Sequence, residues 1–131
     1  MIVVDSSALV AILEEEPEHR EFKAIIEAAP RRVVSSVTVD ETGIVLLRRR
    51  GPDGIDDVSA LVDAFDFEVV AFDRSFSDAA LEAYTRFGKG VDPRARLNMG
   101  DCASYALAKS LDAPLLFKGE DFTATDIKRC Q

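Results

Sequence analysis

The feature that most constrains the fold of this chain is a repeated alternation of short apolar runs with longer segments of helical periodicity. The apolar runs are too short for buried helices and are rich in β-branched residues, which indicates strands. They lie at residues 2–4, 32–35, 67–72 and 114–117. This alternation predicts an α/β fold, a three-layer α/β/α sandwich with a central, mainly parallel sheet of about four to five strands.

Capping and helix-breaking residues divide the rest of the chain into helices. Ser36 or Thr38 can begin a helix that runs to Arg50, and the following Gly51-Pro52 predicts its end. The predicted helices cover residues 6–15, 18–29, 36–50, 56–64, 75–87 and 98–111.

Length and composition predict a single domain over residues 1–131, because a chain of 131 residues with 47% hydrophobic residues can bury an ordinary core. The two cysteines do not make a disulfide framework. Cys102 lies in an alanine-rich apolar stretch and is expected to be a buried free thiol, which favours the reducing cytoplasm. The apolar run at the start of the chain is interrupted at Asp5, which is too early for a signal peptide or a membrane span, so neither is expected.

The formal net charge of −8 argues at first against a nucleic-acid ligand, because phosphate binding depends on basic groups. A site in which carboxylates bind divalent cations removes that objection, since the cations reverse the local field. The single histidine, His19, lies in a charged context and is interpreted as a solvated residue.

Acidic residues follow or flank several predicted strands, and ligands of parallel sheets bind beyond the carboxyl ends of the strands. Asp5 comes directly after the first strand, and Asp101 lies in the first turn of the helix after Asn98. If the first and fourth strands are neighbours, acids from separate segments converge. Both residues also suit a helix start, so the sequence alone leaves both interpretations open. Gly100 costs about 1 kcal/mol in a helix, which indicates a close approach to the backbone beside Asp101.

Two further pairs of acids are candidates. Glu41 lies one helical turn before Val45, on a partly apolar face, while Asp40 points about 100° away from it. Glu120 and Asp121 follow the last strand in a turn-like segment, where acids are also common without a function.

Carboxylates without histidine are suited to Mg²⁺, which takes oxygen ligands and keeps several waters. Divalent ions held in this way activate water and stabilise a phosphoryl displacement. Other catalytic arrangements find no support: no serine lies in a nucleophile-elbow pattern, no phosphate loop or dinucleotide fingerprint occurs, and Cys and His are too few for a zinc site.

Basic residues cluster in a few places. Lys89, Arg94 and Arg96 flank the loop before Asn98, and Lys118 lies beside the last strand, so these four are the predicted contacts to a phosphate backbone. Arg48–Arg50 close a helix, where they either complement the helix dipole or contact phosphate.

Several of these segments resemble known motifs. The opening at residues 1–12 resembles the start of PIN-domain nucleases. The stretches at residues 87–90, 98–102, 115–122 and 125–127 resemble the VapC toxin branch of that family.

The resemblance implies a PIN-like parallel-sheet fold and an endoribonuclease that depends on Mg²⁺ or Mn²⁺. It also implies the toxin half of a toxin–antitoxin pair, held inactive by a cognate VapB-type antitoxin, and commonly a homodimer. Residue by residue, it matches Asp5, Glu41, Asp101 and Asp121 to the four family carboxylates, and Ser7 to a small polar position beside the first acid.

Two departures from the family pattern leave alternatives open. Asp40 stands where an apolar or small residue is usual, which affects the register at Glu41. Gly119 occupies one usual position of the fourth acid, so Glu120 and Asp126 are substitutes for Asp121.

The resulting hypothesis is hydrolysis of RNA phosphodiester bonds, with Asp5 and Asp101 holding the principal metal ion. Glu41 and Asp121 complete its shell or position the attacking water. One rival is a metal-dependent phosphatase, which an Asp-x-Asp pair after the first strand would have favoured, but Ser6-Ser7 follow Asp5. The other rival is a non-catalytic module that binds RNA or a partner protein on the same fold.

Overall fold

The computed structural model describes residues 1–130 and confirms the α/β architecture. Its strands are β1 (Ile2–Val4), β2 (Arg32–Ser35), β3 (Glu68–Val70) and β4 (Leu115–Leu116). They form one parallel sheet of four strands in the order β3-β2-β1-β4. β1 and β4, at opposite ends of the sequence, are therefore neighbours, and Val3 pairs with Leu115. This pairing is the one on which the convergence of the acids depends.

The helices alternate with the strands. They are α1 (Ser6–Leu13), α2 (His19–Ala28), α3 (Ser36–Arg50), α4 (Pro52–Ala64), α5 (Arg74–Phe87) and α6 (Met99–Ser110). One predicted start was wrong, because α4 begins at Pro52 and not at residue 56. Gly51 ends α3 with a φ of 74°, and Pro52 then takes the first helical position, where its missing N–H costs nothing. The third and fourth strands are also shorter than predicted, at both of their ends.

Side chains alternate between the two faces of the sheet and build two cores. On one face, Val3, Val33 and Leu115 pack with residues of α5 and α6. On the other, Ile2, Val4, Val34 and Leu116 pack mainly with residues of α1 and α2. Full burial of each such side chain stabilises the fold by roughly 1.5–3 kcal/mol. Helices thus cover both faces, as the three-layer prediction requires.

The C-terminal segment covers the outer edge of β4. The Leu115 amide donates to the Lys128 carbonyl at 2.8 Å, and Leu115 forms an isolated parallel bridge with Arg129. An unpaired strand edge invites pairing with other chains, and this contact protects it. Within residues 1–130, no helix combines the length and the apolar character needed to cross a bilayer. Cys102 is a buried free thiol, as predicted.

Candidate active site

Three acids from separate parts of the chain meet beyond the carboxyl ends of the central strands. Asp5 follows β1 directly, Glu41 lies on α3 after β2, and Asp101 lies in the first turn of α6. The charges of Asp5 and Glu41 both act on the Asp101 carboxyl. The sheet order explains this meeting, because β1 lies between β2 and β4 at the centre of the sheet.

Asp5 is almost fully buried, with 1% of its surface exposed. Its Oδ2 accepts from the Ser7 amide at 3.0 Å and from Ser7 Oγ at 2.7 Å, and its Oδ1 accepts from Ser104 Oγ at 2.7 Å. Burial raises the pKa of the Asp5 carboxyl, and these hydrogen bonds oppose that rise. Asp5 therefore caps α1 and also lies within the acid cluster, so the two interpretations of this residue are compatible.

Asp101 forms a capping box at the start of α6. The Asn98 amide donates to Asp101 Oδ2 at 3.0 Å, and the Asp101 amide donates to Asn98 Oδ1 at 2.8 Å. Burial first, and then the charge of Asp5, raise the pKa of Asp101 from 3.8 to about 7. The helix cap fixes the orientation of this carboxyl, while its surroundings penalise its negative charge.

Glu41, and not Asp40, points into the cluster. Ser6 Oγ donates a hydrogen bond to Glu41 Oε1, and burial raises the pKa of Glu41. The Glu41 carboxylate lies against Gly100, where a methyl group would overlap with it. Asp40 is exposed on the adjoining face of the helix. Gly100 thus allows the close approach that its position in a helix indicated.

The candidates for the fourth acid separate clearly. The charge of Asp121 raises the pKa of Asp101, which brings Asp121 into the electrostatic range of the cluster. Asp126 is instead engaged elsewhere, by a hydrogen bond from Tyr105 and an ion pair with Lys109 at 3.2 Å. Glu120 and Asp121 are both exposed, so exposure does not distinguish them. The effect of the Asp121 charge on Asp101 is what favours Asp121.

The cluster is electrostatically suited to a divalent cation. Burial raises the pKa values of Asp5, Glu41 and Asp101, and the charge of Asp5 adds to the rise at Glu41 and Asp101. Carboxylate oxygens are the ligands that Mg²⁺ prefers, and Mg²⁺ completes its shell with water. Within residues 1–130, no three acidic, histidine or cysteine side chains are placed so that together they could hold a metal ion. A cation at this edge of the sheet would therefore take few ligands from the side chains in these positions and would keep several waters, as Mg²⁺ does.

The predicted RNA contacts fall into two groups. Lys89, Arg94 and Arg96 are exposed on the loop that leads into α6. Lys118 is engaged within the protein, because its Nζ lies 2.9 Å from Glu16 Oε1 and 3.0 Å from Glu18 Oε2. These ion pairs reduce the positive charge that Lys118 can offer to a phosphate.

The arginines at the end of α3 also differ among themselves. Arg50 Nη1 lies 2.7 Å from Asp57 Oδ2, and its Nη2 donates to the Leu13 carbonyl at 2.5 Å. Arg49 lies 3.8 Å from Glu14. These two side chains connect α3 to α1 and α4, which favours a structural role for them. Arg48 lies on the side of α3 that carries Glu41.

Ser104 belongs to the site as well, although it was not predicted from the sequence. This serine lies three residues after Asp101, so the two side chains project from the same face of α6. The helical spacing was therefore a usable signal. A serine inside an alanine-rich buried helix is interpreted as a small core residue when its hydrogen-bond acceptor, here Asp5, is not known.

Known proteins share both this sequence and this fold. The PIN domain model matches residues 2–128. Ribonuclease VapC30 of Mycobacterium tuberculosis is 44% identical over 126 residues, which cover 96% of this chain and 95% of the relative. Ribonuclease VapC of Mycolicibacterium smegmatis is also 44% identical, covering 96% of this chain and 97% of the relative.

Solved structures show the same fold at lower identity. The sarcin-ricin loop cleaving toxin VapC20 of Mycobacterium tuberculosis has a TM-score of 0.82 at 19% identity, covering 100% of this chain and 99% of that one. A toxin–antitoxin complex from Klebsiella pneumoniae has a TM-score of 0.70 at 15% identity, covering 96% and 93%. The family model and the sequence relatives lead to one conclusion: this chain belongs to the PIN-domain family, in its branch of VapC ribonucleases.

Proposed function

We propose that this chain is a Mg²⁺-dependent endoribonuclease that hydrolyses RNA phosphodiester bonds as the toxin of a VapBC pair in the cytoplasm. Mn²⁺ is the alternative cofactor. The observation that carries the proposal is the meeting of Asp5, Glu41 and Asp101, from three separate elements, at one edge of the sheet. Membership of the VapC ribonucleases supports the same activity and substrate class.

In this proposal, Asp5 and Asp101 hold the principal cation, and Glu41 and Asp121 complete its ligand set or orient the attacking water. When bound, the cation supplies Lewis-acid stabilisation of the phosphate charge and a more acidic water. Ser6 and Ser7 fix the carboxylates of Glu41 and Asp5 through hydrogen bonds. Such fixed geometry avoids reorganisation during the reaction.

The RNA backbone is expected to contact the loop before α6. Lys89, Arg94 and Arg96 are exposed there and precede Asp101 directly in the chain. Local positive charge of this kind allows phosphate binding by a protein whose net charge is −8. Lys118 is a weaker candidate because Glu16 and Glu18 pair with it.

The antitoxin is proposed to dock on an apolar groove between α3 and α4. Half-exposed Ile44, Leu47 and Ile55 line this groove. Ile44 also lines a second, adjoining cavity that contains Glu41, so a peptide in the groove would extend to the acid site. An amphipathic helix suits such a groove and would block access to the acids.

A Leu47→Asp variant tests the docking site. It should lose antitoxin binding in a pull-down or a titration while its RNA cleavage is retained, because Leu47 does not line the cavity that contains Glu41. The exposed Leu81→Asp is the matched control, since it lies on α5 outside the groove. Unchanged antitoxin affinity in Leu47→Asp would place the partner elsewhere. A homodimer, the other proposed assembly, is tested by sedimentation of the same samples.

The decisive assay for the activity compares wild type with Asp5→Asn on a defined RNA, with Mg²⁺ and with a chelator. Wild type should cleave internally only with the metal, and Asp5→Asn should fold but lose cleavage by orders of magnitude. Cleavage of a simple phosphate monoester in place of RNA would favour the phosphatase. RNA binding without cleavage under every metal condition would favour the non-catalytic module.

A further inference from the structure

Ser104 occupies an unusual position for a buried hydroxyl. It has no exposed surface, and it lies on α6 one turn after Asp101. Its Oγ donates to Asp5 Oδ1 at 2.7 Å. A buried hydroxyl costs stability unless it is hydrogen-bonded, and this one makes its bond to the carboxylate that is proposed to hold the cation.

A second buried hydroxyl, that of Thr38, contacts the Ser104 hydroxyl. Ser104 Oγ lies 3.2 Å from Thr38 Oγ1 on α3, and both residues are buried. A serine hydroxyl carries one proton, and that of Ser104 points to Asp5, so Thr38 donates to Ser104. The result is a chain of hydrogen bonds that runs from α3 through α6 to Asp5.

The other oxygen of Asp5 is supported in a similar way. Ser7 Oγ donates to Asp5 Oδ2 and itself accepts from the Lys118 amide at 3.0 Å. The carboxylate is therefore held at both oxygens by hydroxyls that the surrounding backbone or side chains fix in place. The terminal torsion of an aspartate is soft, so holding only one oxygen would leave the plane of the carboxylate free to rotate.

We propose that Ser104 is a positioning residue that orients the Asp5 carboxylate so that Asp5 and Asp101 face the same cation. This inference rests on the proposed function. Groups that orient metal ligands in this way commonly contribute about 10- to 100-fold to metal affinity or activity. α6 then contributes two residues to the site, Asp101 as a ligand and Ser104 as the support of Asp5, the ligand that follows β1.

The test measures Mn²⁺ binding by calorimetry in the absence of RNA, together with the Mg²⁺ dependence of cleavage. Ser104→Ala should weaken Mn²⁺ binding by about tenfold and raise the Mg²⁺ concentration for half-maximal cleavage. The KM for RNA at saturating Mg²⁺ should change little. Ser104→Cys, which fills the space with a weak donor, should give a loss in the same direction and covers the case in which the alanine variant does not fold.

Thr42→Val is the matched control. Thr42 Oγ1 is also buried and donates to the Thr38 carbonyl at 2.7 Å, a hydrogen bond that involves neither Asp5 nor Ser104. This variant should lose stability and keep wild-type Mn²⁺ affinity. Wild-type affinity in the Ser104 variants, or an equal loss in Thr42→Val, would overturn the positioning role. A wild-type chain that neither binds Mn²⁺ nor cleaves RNA would instead overturn the proposed function.

Discussion

Two acidic side chains near the two ends of α6 lie in opposite electrostatic surroundings: Asp101 belongs to the helix, and Asp126 lies on the C-terminal segment that contacts it. At its start, Asp101 is buried beside Asp5 and other carboxylates, and its pKa rises to about 7. Near its end, Asp126 accepts from Tyr105 and pairs with Lys109, and these contacts lower its pKa. An acid whose partners are cations and donors contributes to structure. An acid that is buried among other acids needs a cation that the chain itself does not supply, and this difference distinguishes the candidate site.

The largest effect expected from this contrast is on cleavage. Asp101→Asn removes a proposed ligand and should reduce RNA cleavage by more than the roughly 10- to 100-fold that loss of a supporting group costs. Asp126→Asn is the matched control at the other end of α6. It should keep full cleavage and lose at most about 1 kcal/mol of stability, because its ion pairs are exposed. Equal losses of cleavage in the two variants would contradict the distinction between Asp101 as a ligand and Asp126 as a structural acid.

A smaller effect is expected at Gly100, whose missing side chain makes room for Glu41. Gly100→Ala should push the flexible end of Glu41 away from Asp101 and reduce cleavage by roughly tenfold, a typical cost of a misplaced supporting group. The helix should at the same time gain up to about 1 kcal/mol of intrinsic stability. Denaturation and cleavage assays on one sample measure both changes. Full cleavage by this variant would show that the close approach of Glu41 is not required.

The pH dependence of stability should sharpen the contrast further. Between pH 3.8 and about 7, the folded chain holds a proton on Asp101 that the unfolded chain has already released. The free energy of unfolding therefore falls as pH rises through this window. Without divalent ions, Tm should fall by a few degrees from about pH 5 to about pH 8. The lowered pKa of Asp126 acts in the opposite sense, stabilising above its unfolded pKa and losing that effect as pH falls.

Added Mg²⁺ should raise Tm most at the upper end of this range, because the cation favours the ionised carboxylates. The Asp101→Asn variant provides the control and should show a flatter dependence on pH. Thermal denaturation with Mg²⁺ and with a chelator measures both effects. A metal-free Tm that rises steadily between about pH 5 and about pH 8 would contradict the raised pKa of the cluster.

The sequence was sufficient to predict the sheet and to place Asp5 at a strand end and Asp101 at a helix start, because strand ends and helix caps are local features. Their convergence depended on the pairing of β1 with β4, which the structure supplies. The choice between Glu41 and Asp40 needed the rotation of α3 about its axis, which the structure supplies. Asp126 could not be separated from Asp121 by sequence, since its partner Tyr105 lies on another segment.

Two further features depended on contacts that are remote in the sequence. Ser104 was identified as a member of the site through its hydrogen bond to Asp5, 99 positions away. The start of α4 was missed because Gly51-Pro52 can either end a helix or separate two helices. In this chain the second case holds, since Arg50 pairs with Asp57 across the junction.

The most direct test of the central claim is a crystal structure with Mn²⁺, in which anomalous scattering locates the ion. The account predicts one strong peak within about 2.0–2.4 Å of carboxylate oxygens of both Asp5 and Asp101, with water completing the shell. A peak bound to other residues, or none at this edge of the sheet at saturating Mn²⁺, would contradict it.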